Sequence, residues 1–541
     1  MTQTMLSGVA DPAALEQIAP GLAEGPLETK AGEARAGQHI IGLCSLEKFY
    51  SVSGLSYTHE DAQGFRDWLA KWNHVPNFWF KDDAVKVWAY EETYDNWQDT
   101  YGFDADLVSY HSGHGAMDSN GVFYAPLGGL WDNRSTAQSN RMALGNEYCR
   151  YLFWSTCLSL RVRDGHTPIR TWHGANKGLR MIFGFETVSW DDPNYGKNFG
   201  KHWDAGKSLG TAWLDGSWDI AHDQSPSVVA CGATQQEAQD RVFNERNFTW
   251  ATVSNAWYWW RSYTPRAAMR ERNLLVPSNP LTGRLAPASA RSLRAAAERF
   301  GFDADSLRPA GSLAVTGDGR RRLTINADGT LIAQLAEHNR GNRTPIDRSA
   351  ARSAAADIIQ RYGLDADGPL VLDRIADVDE AGQSESGSGS QEGPFRTGTL
   401  VQFRQVIGDL PVITPGAGTV RVLIDNDGTP ISVTANTRTV EDTSERSTRA
   451  PSVEPTPDGT EPRPRESSSP ERLLARELSG LLQRTALRGE APIGIEPVPG
   501  TYEVGYDIQD DQAVLVAQRA VELDFGEGFR KRYWIKAPIT G

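Results

Sequence analysis

Cysteine is scarce in this chain. Four residues, Cys44, Cys149, Cys157 and Cys231, are scattered through 541. They form no CxxC pair and are too few for a disulfide framework, so they read as reduced thiols. Cationic charge is also in deficit: 55 Lys plus Arg stand against 69 Asp plus Glu, a net charge of −14. That is the wrong sign for a phosphate backbone or an anionic lipid surface without a local basic patch, so neither nucleic acid nor membrane is expected as a partner. No apolar run approaches the ~18 residues of a membrane-spanning helix. The first 37 residues lack the basic-then-apolar order of a signal peptide. As given, the sequence predicts a soluble, cytoplasmic protein, with secretion by another route left open.

What the chain does hold is unevenly placed. Sixteen of its 17 Trp, all four Cys and nine of its ten His precede residue 275, and the remainder is rich in Arg, Ala, Asp and Gly. Two kinds of module are therefore joined, and at roughly 150 residues per domain the length allows three or four. Residues 1–37 are small and acidic and read as a flexible extension. Between 38 and 270, apolar runs at His39–Cys44, Ala84–Tyr90, Leu107–Tyr110, Tyr151–Trp154, Met181–Phe185 and Ser227–Cys231 read as strands. Thr58 caps a helix whose Phe65, Trp68, Leu69 and Trp72 share one stripe. This alternation predicts an α/β domain with a mostly parallel six-stranded sheet covered by helices on both faces. In such sheets ligands sit beyond the carboxyl ends of the strands.

The second half carries a repeat. Arg299-Phe-Gly-Phe-Asp-Ala-Asp305 returns as Arg361-Tyr-Gly-Leu-Asp-Ala-Asp367, each ending an Ala-rich helix. Each is followed by strands joined through a related turn, Asn326-Ala-Asp-Gly-Thr330 and Asp425-Asn-Asp-Gly-Thr429. The expected organisation is a linker at 271–288, small α+β modules at 289–345 and 346–440, a Pro/Ser/Glu/Arg-rich disordered linker at 441–470, and a C-terminal α+β module at 471–541. Ala381–Pro394 reads as a Ser/Gly-rich loop insertion, and Trp257–Trp260 as an apolar stripe packed on the sheet.

Chemistry concentrates at two strand ends. The third strand leads into His111-Ser-Gly-His114-Gly115, the fourth into Ser155-Thr-Cys157. A histidine and a cysteine at adjacent strand exits can face one crevice, as thiol catalysis requires: an imidazole to exchange the proton and backbone N–H groups to hold an oxyanion. Competing readings exist for each residue. A cysteine ending an apolar strand is commonly a small buried hydrophobe. His111 and His114 with Cys149 or Cys157 also make a partial zinc pattern, although no fourth ligand presents itself. Asp118 and Asp132 suit a cation or the orientation of His114, or are simply solvated.

These strings, Ser112-Gly-His114-Gly115 after one strand and Ser155-Thr-Cys157 after the next, resemble the caspase, metacaspase and gingipain group of cysteine peptidases, clan CD, over about residues 38–265. The resemblance implies a caspase-like fold. It implies Cys157 as nucleophile, His114 as its imidazole partner, and the N–H groups of Gly115 and Cys157 as the oxyanion hole, with no metal or organic cofactor in the chemistry. Metacaspases carry an acid two residues before the nucleophile, where this chain has Ser155. Glu186, Asp191 and Asp192 could instead floor a substrate pocket. Phe403–Val412 with Val420–Gly428 is similar to the fungalysin/thermolysin propeptide and related PepSY modules, which implies a chaperone or inhibitor module acting on a peptidase; the other reading is a surface-binding or stabilising domain. The expected function is cysteine endopeptidase action on a peptide or protein substrate, regulated by those modules. The alternative is an inactive binding or scaffold protein on a peptidase fold.

Overall fold

A computed structural model describes residues 40–71, 74–266, 281–287, 293–303, 308–310, 313–317, 321–386, 391–445, 469–487 and 491–539. The expected N-terminal extension and most of the expected disordered linker fall outside them.

The first module runs β1 (Ile41–Ser45), α1 (Thr58–Ala70), β2 (Pro76–Lys81), α2 (Asp95–Tyr101), β3 (Val108–Ser112), β4 (Ala116–Met117), β5 (Phe123–Trp131), β6 (Arg134–Gln138), β7 (Tyr151–Ser155), α3 (Pro168–Trp172), β8 (Met181–Phe185), α4 (Tyr195–Asp204), α5 (Leu209–Trp218), β9 (Pro226–Gly232), α6 (Gln235–Asn244) and β10 (Trp257–Pro265). The strand order is β2-β1-β3-β7-β8-β9-β10. Neighbours are parallel from β2 to β8, and β9 and β10 are antiparallel.

Alternation along each strand divides the core in two. Ile41, Leu43, Val108, Tyr110, Tyr151, Phe153, Met181 and Phe183 face one side, packed by Phe65 and Leu69 of α1, Phe199 of α4 and Trp213 of α5. Phe153 and Phe183 stack with ring centroids 4.0 Å apart. Cys44, Leu152, Trp154 and Ile182 face the other side. That face is covered less by helix than expected: the β4–β6 hairpin, the short α2 and α3 and the buried segment Val85–Tyr90 close it. Ala84–Tyr90, read as a strand from its alternating apolar residues, contains a 3₁₀ turn at Val87–Ala89, and the strand lies earlier, at Pro76–Lys81. Trp257–Trp260 is also not a stripe laid on the sheet. It is part of β10, within the sheet.

β10 carries that sheet into the next modules. These comprise β11 (Leu281–Leu285), α7 (Leu293–Arg299), β12 (Arg308–Ala310), β13 (Leu313–Gly317), β14 (Arg322–Ile325), β15 (Leu331–Gln334), α8 (Arg348–Arg361), β16 (Leu370–Ser384), β17 (Glu392–Ile407), β18 (Leu410–Pro411), β19 (Thr419–Asp425), β20 (Pro430–Ala435) and β21 (Val440–Glu445). β16 pairs with β10 from Ser384 to Ala376, and the order continues β17-β19-β20-β15-β14-β13-β12. At Gly382 a Cβ would meet the Trp259 ring at 2.1 Å, so only glycine lets the two strands close there. The repeat appears as two helix-then-strand units whose turns match: Asn326 and Asp425 donate their N–H to Thr330 and Thr429 at 2.9 and 3.0 Å. β15–β20 pairing fuses the units into one sheet. Among the described residues of the Ser/Gly-rich stretch, Ala381–Ser384 end β16 and Glu392–Pro394 begin β17. Likewise Leu281–Leu285, expected within the linker, is a strand pairing with β21 and β24.

The last module is α9 (Pro470–Ala486), β22 (Gly494–Pro497), β23 (Glu503–Gln509), β24 (Gln512–Asp524) and β25 (Arg530–Pro538). β24 is its axis, pairing with β11, β22, β23 and β25. Its apolar core includes Leu523, Phe525, Phe529 and Tyr533 and also Val52, Leu55 and Ala116 of the first module. The C-terminal module therefore packs directly on the loops that leave the parallel strands.

Candidate active site

β3 and β7 are parallel neighbours in register, with Ser112 opposite Ser155. His114 and Cys157 thus follow the paired ends by two residues each. The loops stay together beyond the sheet: Gly113 N–H donates to Ser155 O at 3.4 Å. A Cβ at Gly115 would lie 2.6 Å from Cys157 O, so glycine is required for this approach. Leu158, next after the cysteine, holds φ at +55°. That is costly for a branched side chain and is the kind of strain kept where geometry matters.

Both side chains are fully buried. His114 Nε2 lies 3.1 Å from Ser53 O. A carbonyl oxygen only accepts, so Nε2 carries the proton and Nδ1 the lone pair. Nδ1 has no hydrogen-bond partner among the described residues. Phe49 and Phe525 flank the ring with centroids at 4.9 Å. Burial first, then the charge of Lys531, pushes its pKa down to about 3, so in the closed site the imidazole is neutral and only weakly basic. Neither the Gly115 nor the Cys157 N–H has a hydrogen-bond partner among the described residues. Buried N–H groups are nearly always paired, so these two donors remain available to another acceptor.

The thiol and imidazole are not hydrogen-bonded to each other. Cys157 Sγ accepts from Ser189 N–H at 3.2 Å, lies 3.4 Å from Ser189 Oγ, and donates to the carbonyl oxygen of Arg530 at 3.0 Å. Lys531 Nζ donates to Ser189 Oγ at 3.0 Å and Gly113 O at 3.3 Å. The start of β25 therefore closes the site.

The remaining site residues divide. Asp191 accepts from Ser56 and Tyr57 N–H at 2.7 and 3.2 Å. Burial raises its pKa and Lys531 opposes that rise, and its N–H donates to Arg532 O at 3.1 Å, next to the residues that cover the thiol. Asp192 accepts from Asn194 N–H and Nδ2, both at 2.9 Å, and is pushed up to about 6, chiefly by burial. Glu186 lies elsewhere: its carboxylate accepts from Val162 N–H and pairs with Arg161 at 3.5 Å, bracing the loop after β7. Ser155 neighbours a carboxylate that sequence reasoning missed, Asp61 of α1. Asp61 accepts from Tyr110 OH and Ser112 Oγ, both at 2.7 Å, and from Gly196 N–H at 2.8 Å. Its only sequence signal is a place in the first turn of α1, where an acid is unremarkable.

The other candidates have structural partners. His111 hydrogen-bonds Tyr90 OH through Nδ1 at 2.8 Å and packs on Trp154. Asp118 closes the β4–β5 turn by accepting from Asn120 and Val122 N–H, and Asp132 accepts from Tyr94 OH. Cys44, Cys149 and Cys231 are buried, with burial pushing Cys44 and Cys231 to about 12. Among the described residues no group of three or more His, Cys, Asp or Glu forms a metal site, and no helix is long and apolar enough to cross a membrane.

Residues 41–260 match the profile of a family described as Domain of unknown function (DUF6345). The match spans β1 to the first half of β10 and includes His114 and Cys157. No curated protein matches the chain.

Proposed function

We infer that the chain is a cysteine endopeptidase of caspase-like fold in which Cys157 is the nucleophile and His114 its proton partner. The observation that carries this reading is the placement, two residues past the ends of two adjacent parallel strands, of a thiol and a buried imidazole whose Nδ1 has no hydrogen-bond partner among the described residues. The mostly parallel β2-β1-β3-β7-β8-β9 order supports the fold assignment.

In the open site His114 Nδ1 takes the Cys157 proton and the thiolate attacks the substrate carbonyl carbon. The Gly115 and Cys157 N–H groups receive the oxyanion, which stabilises the transition state because these donors are fixed and dry beforehand. His114 then returns the proton to the leaving amine, and water releases the acyl group from Cys157. No step calls for a metal or an organic cofactor.

The partners in this account are a peptide or protein substrate and the chain's own C-terminal modules acting as inhibitor. Incubation of the full-length chain with a synthetic peptide library, read by mass spectrometry, tests the reading. Cleavage that disappears in both Cys157→Ala and His114→Gln supports it; cleavage retained in Cys157→Ala refutes it.

A further inference from the structure

The segment that closes the Cys157 site enters it as an extended strand. Arg532 N–H donates to Ser189 O at 3.2 Å and Arg532 O accepts from Asp191 N–H at 3.1 Å, which makes a parallel bridge between Trp190 and Arg532. Trp534 stacks on Trp190 with centroids 4.5 Å apart at 16°. Ahead of these anchors, the Arg530 carbonyl meets Cys157 Sγ and the Lys531 side chain turns inward. Arg530 and Arg532 send their side chains to Glu522 and, for Arg532, also to Asp223. Side chains thus alternate in and out as in any strand.

Lys531 is only 2% exposed. Packing alone does not call for a lysine there: leucine or methionine would fill the space without the cost of burying an ammonium group. The lysine is accommodated because Gly113 O and Ser189 Oγ accept from it, and the charges of Lys531 and Asp191 attract each other. These residues belong to the first module and line the approach to the thiol.

We propose that Arg530–Arg532 is an internal occupant of the peptide groove, docked by strand addition with Lys531 in the side-chain pocket beside Cys157, and that a lysine-bearing extended peptide takes the same place when the strand withdraws. The inference deepens the peptidase reading and relies on it only for what the opened site does. Strand addition supplies main-chain affinity and the pocket supplies selectivity. Because the occupant is tethered, it competes at high effective concentration and needs little intrinsic affinity. It is not itself in attacking geometry: a thiol that donates its proton to a carbonyl oxygen is not the thiolate that attacks carbon.

Alkylation of the full-length chain by iodoacetamide, mapped to each cysteine by mass spectrometry, reads the occupancy without reference to activity. In the wild type, Cys157 should react as slowly as Cys44, Cys149 and Cys231. Lys531→Met, which keeps the stem and removes the ammonium group, should speed Cys157 about tenfold, the scale of one lost charge-assisted hydrogen bond, and leave the other three unchanged. Ser189→Ala, which removes one Lys531 acceptor without altering the C-terminal sheet, should act in the same direction. A free peptide of sequence 529–534, at about 1 mM to match a tethered strand, should slow Cys157 again in Lys531→Met, and the same peptide with Met for Lys should not. Fast labelling of Cys157 in the wild type, no change in either variant, or a joint rise of all four cysteines in both overturns the proposal. If the thiol is freed but no peptide is hydrolysed, the occupant stands and the peptidase reading falls.

Discussion

Cys157 Sγ lies 3.0 Å from the carbonyl oxygen of Arg530, 373 positions further along the chain. The contact joins the loop after β7 to the first residue of β25. Access to the thiol is consequently a property of the C-terminal module as much as of the domain that carries the cysteine. Changes at Phe525 and Phe529, which flank the His114 ring at 4.9 and 6.2 Å, should be felt at the thiol although they lie far from it in sequence.

The two histidines of the His111–Gly115 string should separate cleanly. His114→Gln keeps a donor for Ser53 O but loses the lone pair at Nδ1, so peptide turnover should vanish. His111→Gln removes a partner of Tyr90 and a ring packed on Trp154, which are structural contacts, so turnover should persist at within about threefold of wild type once stability is allowed for. Measuring kcat/KM of both on one peptide decides it, and the reverse order would move the base to His111.

Acid should weaken the fold through these same groups. Burial, then the charge of Lys531, depresses His111 from 6.5 to about 3. Below pH 6.5 the unfolded chain takes up a proton that the folded chain refuses, so the stability is complete above that value and is lost as pH falls toward the folded pKa. The raised carboxylates Asp61 and Asp191 act with the opposite sign, but they are common to wild type and variant. Between pH 6.5 and 5, His111→Gln should lose roughly 1.5 kcal/mol less stability than wild type in urea titrations. Parallel pH curves would mean that His111 titrates freely in the folded state.

Much of this was legible in the sequence because it is local. β1, β3, β7, β8 and β9 are apolar runs whose alternation sorts Phe153 to one face and Trp154 to the other, and the His114 and Cys157 strings directly follow two of them. Ala84–Tyr90 misled because its alternation is that of a strand, while burial of most residues there comes from the hairpin packed over it. Asp61 and Lys531 were not legible. Each reads as an ordinary charge on its own element, and only tertiary packing brings Asp61 under the strand ends and Lys531 against Ser189.

The junction between the first and middle modules rests on buried charge. Arg421 of β19 pairs with Asp219 at 3.0 Å and Asp215 at 3.5 Å, and Lys207 and His202 complete the cluster at 2.5 and 2.8 Å. Arg421→Met leaves these carboxylates short of countercharge and should cost about 3–5 kcal/mol in denaturant unfolding. A cost below ~1 kcal/mol would show that water reaches the cluster.

Removing everything after residue 270 should not yield a well-behaved monomer, contrary to what the concentration of aromatic residues in that part suggests. β10 pairs along its full length with β16, so the truncation bares a long edge beside Tyr258 and Trp260, a template for association. Truncation after residue 445 retains that cover. Size-exclusion chromatography of both should show association of the shorter product only, and a cooperatively folded monomer of 1–270 would show that β10 is stable as an edge.

The most direct test of the central claim is covalent capture of the nucleophile. Full-length chain, with and without Lys531→Met, is treated with a lysyl peptide bearing an acyloxymethyl ketone and analysed by intact and peptide mass. The account predicts one adduct, on Cys157, faster in Lys531→Met and absent when His114 is replaced by glutamine. An adduct spread over Cys44, Cys149 and Cys231, or one on Cys157 that forms equally well without His114, would contradict it.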